Sequence, residues 1–144
     1  MIVYGDYECA YCAKLHLELK NQRAIYQGAW PPGKAAIYQG AWPPGNTLVF
    51  RHFPVVSKHP RSEVLARAAE AAALQGRFWD FHDSLYADQG RLDDPHLWER
   101  CERLGMDLER FDADRRSDSV GERVQRDFRS GIRAGVVSTP GIFR

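Results

Sequence analysis

The chain has 144 residues, is 44% hydrophobic and 27% charged, and carries a formal net charge of +1. That length fits one domain, 1–144, with a core that needs no disulfide staples, and so small a charge gives no basic field to hold nucleic acid or an anionic membrane surface. No apolar run approaches the roughly 20 residues that span a bilayer, so no membrane-spanning segment is expected.

The N-terminus, Met1-Ile2-Val3-Tyr4-Gly5-Asp6, lacks the basic start and apolar stretch of a signal peptide. Taken as written the chain reads as cytoplasmic; as a portion of a longer protein it reads as periplasmic or otherwise extracytoplasmic. Ile2, Val3 and Tyr4 predict the end of a short strand, and residues 5–8 a turn. From Cys9 to about Asn21 the pattern is helical, with Leu15 and Leu19 on one face. Residues 24–33 then recur identically at 36–45. The repeated Trp-Pro-Pro-Gly is turn chemistry. The pattern predicts a tandem duplication inside one long connection, a loop over about 22–45, with Trp30 and Trp42 as loop residues.

Residues 47–53 read as a strand ended by Pro54. A helical block over about 60–134 follows. Pro60 opens a helix to about Gln75, stopped by Gly76, with Leu65, Ala68, Ala69 and Ala72 on its inner face. Phe78, Phe81, His82 and Leu85 mark a second helix. Asp94-Pro95 starts a third, with Leu97, Cys101 and Leu104 apolar, and Asp107 caps a fourth bearing Leu108 and Phe111. Ser119 with Glu122 predicts a capping box for a fifth. Its stripe is Val120, Val124, Phe128 and Ile132, and Gly135 ends it. The tail, 136–144, is a loop entering a strand. Short strands among many helices give an α/β domain.

Three cysteines are an odd number and too few for a disulfide framework. Cys9 and Cys12, however, form a C-x-x-C pair where a strand passes into a helix. Disulfide exchange needs a thiolate to attack a sulfur and a second thiol to resolve the mixed disulfide. A helix start offers unpaired N–H groups and the positive end of the dipole to the first sulfur. Cys9 is therefore expected to be the exposed nucleophile and Cys12 the more buried resolving thiol. Ala10 and Tyr11 between them bring no positive charge. Half a zinc site is the alternative, but no second C-x-x-C exists and His16, His52, His59, His82 and His96 show no zinc-ligand spacing. The absence of any chemistry also stays open.

At this point the sequence resembles a known family. Tyr4-Gly5-Asp6-Tyr7-Glu8-Cys9-Ala10-Tyr11-Cys12 is similar to the active-site segment of the DsbA-like thiol–disulfide oxidoreductases of the thioredoxin superfamily. Phe50-Arg51-His52-Phe53-Pro54 resembles their second strand, and Phe78-Trp79-Asp80-Phe81-His82-Asp83 a segment of their helical insertion. Gly135-Val136-Val137-Ser138-Thr139-Pro140 resembles the loop bearing their cis-proline. The resemblance implies a thioredoxin-like fold with an inserted helical domain. It implies Cys9 and Cys12 as the redox pair, a cis Pro140 beside Cys9, and Thr139 presenting backbone to substrate. Protein or peptide thiols and disulfides would be the substrates of a monomer, with an unspecified redox recycling partner and no cofactor or metal. The family continues past this proline with a hairpin and a helix, so the last strand and helix are expected to be missing. Val3 stands where some members carry a buried acid, and Ala10 where many have proline.

Plainer readings apply elsewhere. Cys101 on an apolar stripe is expected to be a small core residue, His52 structural, and Phe78, Trp79 and Phe81 core. Tyr11 is either a residue that stacks on substrate or an exposed spacer. Asp6 and Glu8 are expected to be solvated turn residues. Dithiol–disulfide exchange is the function expected; the alternatives are a non-catalytic binding module of the same fold and a metal-binding protein.

Overall fold

The computed structural model describes residues 1–25, 37–41 and 44–143. In chain order these form β1 (Ile2–Gly5), α1 (Ala10–Ile25), β2 (Ile37–Ala41), β3 (Pro44–His52), α2 (Ser62–Leu74), α3 (Phe78–Ala87), α4 (Asp94–Arg103), α5 (Leu108–Arg115), α6 (Asp118–Ala134) and β4 (Gly141–Phe143). The strands make one sheet in the order β2-β3-β1-β4. β1 runs parallel to β3, with Val3 opposite Phe50, and antiparallel to β4, with Val3 opposite Ile142. A parallel pair requires a long crossover, and α1 lies within it.

Alternation along β1 decides which layer covers which face. Neighbouring strand residues point to opposite sides. Val3 joins a core with Phe50, Leu19, Leu65, Phe78 and Phe111 among others, built from α1 and the helical block. Tyr4, one residue on, joins a second cluster with Phe53 and Val136, against which Phe128 of α6 packs. The sheet is thus covered on both faces. Leu65, Ala68, Ala69 and Ala72 are buried as their spacing requires, and so are Cys101, Phe78, Trp79 and Phe81. Asp107 caps α5 by accepting from the Arg110 N–H, and Gly135 ends α6 at φ 89°, a conformation glycine reaches without a Cβ penalty.

Four local expectations are corrected. The connection over 22–45 is not all loop, because the second copy of the duplicated stretch supplies β2, which pairs antiparallel with β3. Ile25 ends a helix and its copy Ile37 opens a strand. What differs is the neighbour, since only Ile37 lies beside Val49 of β3. Residues 26–36 and 42–43, including Trp30 and Trp42, lie outside the described residues. The cap of α6 is Ser117, which accepts from the Val120 N–H at 3.3 Å, not Ser119. Pro60 precedes α2, whose N-cap is Arg61. Ile132 is 55% exposed, and Asp127 and Gly131 take the buried positions on that side of α6.

Gly131 is where α6 meets the sheet. A Cβ there would lie 2.6 Å from Phe53 Cδ2 and 3.0 Å from Tyr4 Cδ1. Alanine favours a helix over glycine by about 1 kcal/mol, yet here the two rings must move. Gly131→Ala is expected to lower the unfolding free energy by about 1–3 kcal/mol, read from urea denaturation. A rise would show that α6 has room to lift from the sheet.

Candidate active site

The site begins with the turn that follows β1. Asp6 is buried, and its carboxylate accepts from the backbone N–H of Glu8 at 2.9 Å and of Val55 at 2.8 Å, and contacts His59 Nδ1 at 3.0 Å. Its carbonyl accepts from the Cys9 N–H at 3.1 Å and the Tyr86 hydroxyl at 3.3 Å. The Gln89 amide donates to the carbonyls of Tyr7 and Cys9, at 2.8 and 3.1 Å. Glu8 accepts from the Arg61 N–H at 2.8 Å, closing the start of α2. Asp6 and Glu8 are therefore not solvated turn residues. Each satisfies backbone donors that would otherwise be unpaired where the segments meet, a role that no spacing in the sequence marks. Gln89 and His59 were missed for the same reason.

This turn places Cys9 immediately before α1. The Cys9 carbonyl accepts the first helical bond, from Ala13 at 3.2 Å, while its Sγ accepts from the Cys12 N–H at 3.2 Å. Cys9 is thus the N-cap, its sulfur in the place a capping oxygen usually takes, facing the positive end of the helix dipole. Above it, Cys9 Sγ lies 3.6 Å from the Thr139 carbonyl, and the Thr139–Pro140 bond is cis. Cys9, Cys12, Thr139 and Pro140 converge across about the whole length of the chain. Tyr11 is 76% exposed at the same helix start.

Cys9 is not an exposed cysteine, contrary to expectation: it is 4% exposed and Cys12 3%, so both are buried almost equally. The sulfur that caps a helix is turned inward along the backbone, and the loop bearing Thr139 lies against it. The chemical difference between the two lies in their surroundings. Burial, and then the hydrogen bond to Cys9, push the Cys12 thiol far above its ordinary pKa. Burial pushes Cys101 up to about 11, and it lies in the core away from the pair.

Behind Cys12 lies a small cavity of about 20 Å³, bordered by Cys12, His16, His82, Tyr86 and Val3. His82 is buried, with its Nδ1 2.8 Å from the Tyr7 hydroxyl. Burial holds its pKa well below 6.5. His16 Nε2 lies 3.2 Å from Asp83 Oδ1, whose other oxygen is 3.4 Å from Lys20 Nζ. His16, His82 and Asp83 bring metal-ligand-type atoms within 4.8 Å of one another. The Lys20 ammonium beside Asp83 would repel a metal cation, so this donor set fits a metal poorly. His52 is structural, its Nε2 2.7 Å from Glu70.

These features coincide with a known family. A family model described as a DSBA-like thioredoxin domain matches residues 1–143. The chain belongs to the DsbA-like thioredoxin family. A DsbA-like fold agrees with a mixed α/β domain that carries a helical insertion. The crystal structure of a thioredoxin-like oxidoreductase from Silicibacter pomeroyi DSS-3 superposes with a TM-score of 0.75 at 23% identity, over 96% of this chain and 69% of that one. For the thiol-disulfide exchange protein alpha-DsbA2 of Wolbachia pipientis the TM-score is 0.74 at 19% identity, over 96% and 66%. In sequence, the chain is 38% identical over 143 residues to a Na(+)/H(+) antiporter NhaA of Herminiimonas arsenicoxydans, matching 99% of this chain and 20% of that protein. An antiporter NhaA 1 of Mycolicibacterium gilvum is 34% identical, again over 99% of this chain and 21% of its own length. The DsbA-like domain thus spans about a fifth of the curated relatives it matches. No helix among its described residues is long and apolar enough to cross a membrane.

The buried His82 ties stability to pH. Its folded pKa lies below the unfolded value, so the unfolded chain binds the extra proton first. Stability from a neutral His82 is present above about pH 6.5 and falls as pH drops, by about 1.4 kcal/mol per unit. Glu70 adds to this in acid: burial would raise its pKa, but the hydrogen bond and charge of His52 together with the charge of Arg123 hold it below 4.5. Denaturant unfolding between pH 7.5 and 5 is expected to show this slope. A flat profile would mean that His82 is protonated in the folded protein.

Proposed function

We propose that the protein exchanges disulfides with protein or peptide substrates, with Cys9 as the sulfur that bonds to substrate and Cys12 as the resolving thiol. The observation that carries this reading is the placement of Cys9 Sγ at the N-cap of α1, hydrogen-bonded by the Cys12 N–H and facing the Thr139 carbonyl. In the reducing direction, the Cys9 thiolate attacks a substrate disulfide and expels one substrate sulfur as thiolate. Cys12, as thiolate, then attacks Cys9 Sγ. The Cys9–Cys12 bond forms, the Cys9–substrate bond breaks, and two electrons pass to the substrate. Oxidation of a substrate dithiol is the reverse, and a redox partner of the opposite poise restores the pair. Thr139 and Pro140 are half-buried beside the sulfur. Their backbone suits an extended peptide held in β fashion, with the exposed Tyr11 ring beside it. Both sulfurs and this loop come from one chain, so a monomer suffices.

A second reading, a binding module of the same fold without redox turnover, draws on the relatives in which this sequence is a fifth of an antiporter's length. Reactivity separates the two. Cys9 is expected to alkylate with iodoacetamide at mildly acidic pH, where an ordinary thiol is protonated, and Cys9→Ser is expected to lose at least about 100-fold in insulin reduction, scored by turbidity. Cys12→Ser is expected to accumulate a mixed disulfide, seen by mass spectrometry. Full turnover by Cys9→Ser would overturn the reading.

A further inference from the structure

Resolution by Cys12 needs its proton removed, and Val3, the strand residue bordering the cavity behind it, has no acid or base to offer. Three other titratable groups border that space, Tyr86, His82 and His16, with Lys20 nearby on Asp83. The Tyr86 hydroxyl is committed to the Asp6 carbonyl at 3.3 Å. His82 is committed to Tyr7 at 2.8 Å, and burial, with His16, His52 and Lys20 adding to it, makes its ring a poor proton acceptor. Lys20 is an ammonium paired with Asp83. His16 remains. It follows Cys12 by one helical turn on α1, where side chains four apart share a face. Its ring packs on Tyr86 with centroids 5.2 Å apart and meets His82 edge-on at 5.0 Å. One ring nitrogen lies 3.2 Å from Asp83 Oδ1, close enough for that carboxylate to favour an imidazolium when one forms. The cavity shared by Cys12 and His16, about 20 Å³, is large enough for one water.

We propose that His16, oriented by Asp83, is the acid–base group for Cys12, exchanging a proton with its sulfur through one water in this cavity. The proposal rests on the thiol reading above and deepens it. As Cys12 attacks Cys9 Sγ of the mixed disulfide, the Cys12 proton passes to the water and a water proton passes to the free ring nitrogen of His16. The new imidazolium balances the charge of the departing substrate thiolate. In the oxidising direction the Cys12 sulfur, released from its disulfide, takes a proton back from His16 by the same route. No electrons pass through the histidine. His16 acts on Cys12 and Asp83 acts through His16, so Asp83 is a positioning residue.

The reaction of the reduced protein with 5,5′-dithiobis(2-nitrobenzoate), followed at 412 nm by stopped flow, separates the steps. Cys9 attack releases the first thionitrobenzoate and Cys12 resolution the second. His16→Gln is expected to leave the first phase unchanged, which also reports an intact fold. The second phase is expected to slow about tenfold or more near neutral pH, and its pH dependence to flatten. Asp83→Asn is expected to slow the second phase less than His16→Gln does, because the proton acceptor remains and only its counter-charge is lost. A second phase identical in rate and pH profile in His16→Gln overturns the relay while leaving the thiol reading standing. A first phase that survives Cys9→Ser overturns the thiol reading, and the relay with it.

Discussion

The structure depends on how the start of α1 is held against the sheet. Helix N-termini leave backbone donors unpaired, and here one of them, the Cys12 N–H, is directed onto the Cys9 sulfur. That alignment holds only if the turn before it cannot swing. The turn is fixed by a buried carboxylate, Asp6, which binds backbone donors of its own turn and of the segment after β3. It is fixed also by Tyr86 and Gln89, from α3 and the segment that follows it. The helical block is thus more than a cover for the sheet. It carries groups that fix the position of the Cys9 sulfur.

Two sulfurs one turn apart consequently meet different surroundings. The Cys9 sulfur has the helix end and a donor N–H on one side and the Thr139 carbonyl on the other. Cys12 is enclosed by apolar and aromatic groups, and burial opposes its ionisation. The asymmetry lies in what surrounds each sulfur: a helix end with a donor N–H at Cys9, and burial that opposes ionisation at Cys12. Exposure does not produce this difference, since both are buried almost equally.

The sequence showed the parts governed by local pattern. The C-x-x-C at a strand–helix junction, the Leu65–Ala72 face of α2, the Asp107 cap and the Gly135 stop all follow from periodicity or end chemistry, and each is present. Pairing across the chain was hidden. Asp6 and Glu8 look like turn acids until Val55 and Arg61 are brought to them. The duplicated stretch looks like loop until its second copy finds β3. His16 carries no mark of its own; only packing of α1 on α3 sets Asp83 beside it. Ile132 fits the stripe of α6 by spacing, but the sheet is reached through Gly131, where the absence of a side chain lets Phe53 and Tyr4 approach.

Under the exchange proposed above, its direction would follow from which state of the pair the surroundings favour. The reduced state is stabilised by whatever binds a charged Cys9 sulfur, and the residues between the cysteines, Ala10 and Tyr11, contribute no charge to it. The Cys12 N–H does contribute. A hydrogen bond to a charged group is worth about 1.5–3 kcal/mol, and about 1.4 kcal/mol moves a two-electron potential by roughly 30 mV. One backbone donor is therefore worth some tens of millivolts towards an oxidising pair. The Thr139 carbonyl accepts from a Cys9 thiol at 3.6 Å but repels a thiolate, which works the other way. In that proposal the two backbone groups, one on α1 and one on the loop before β4, pull the poise in opposite directions.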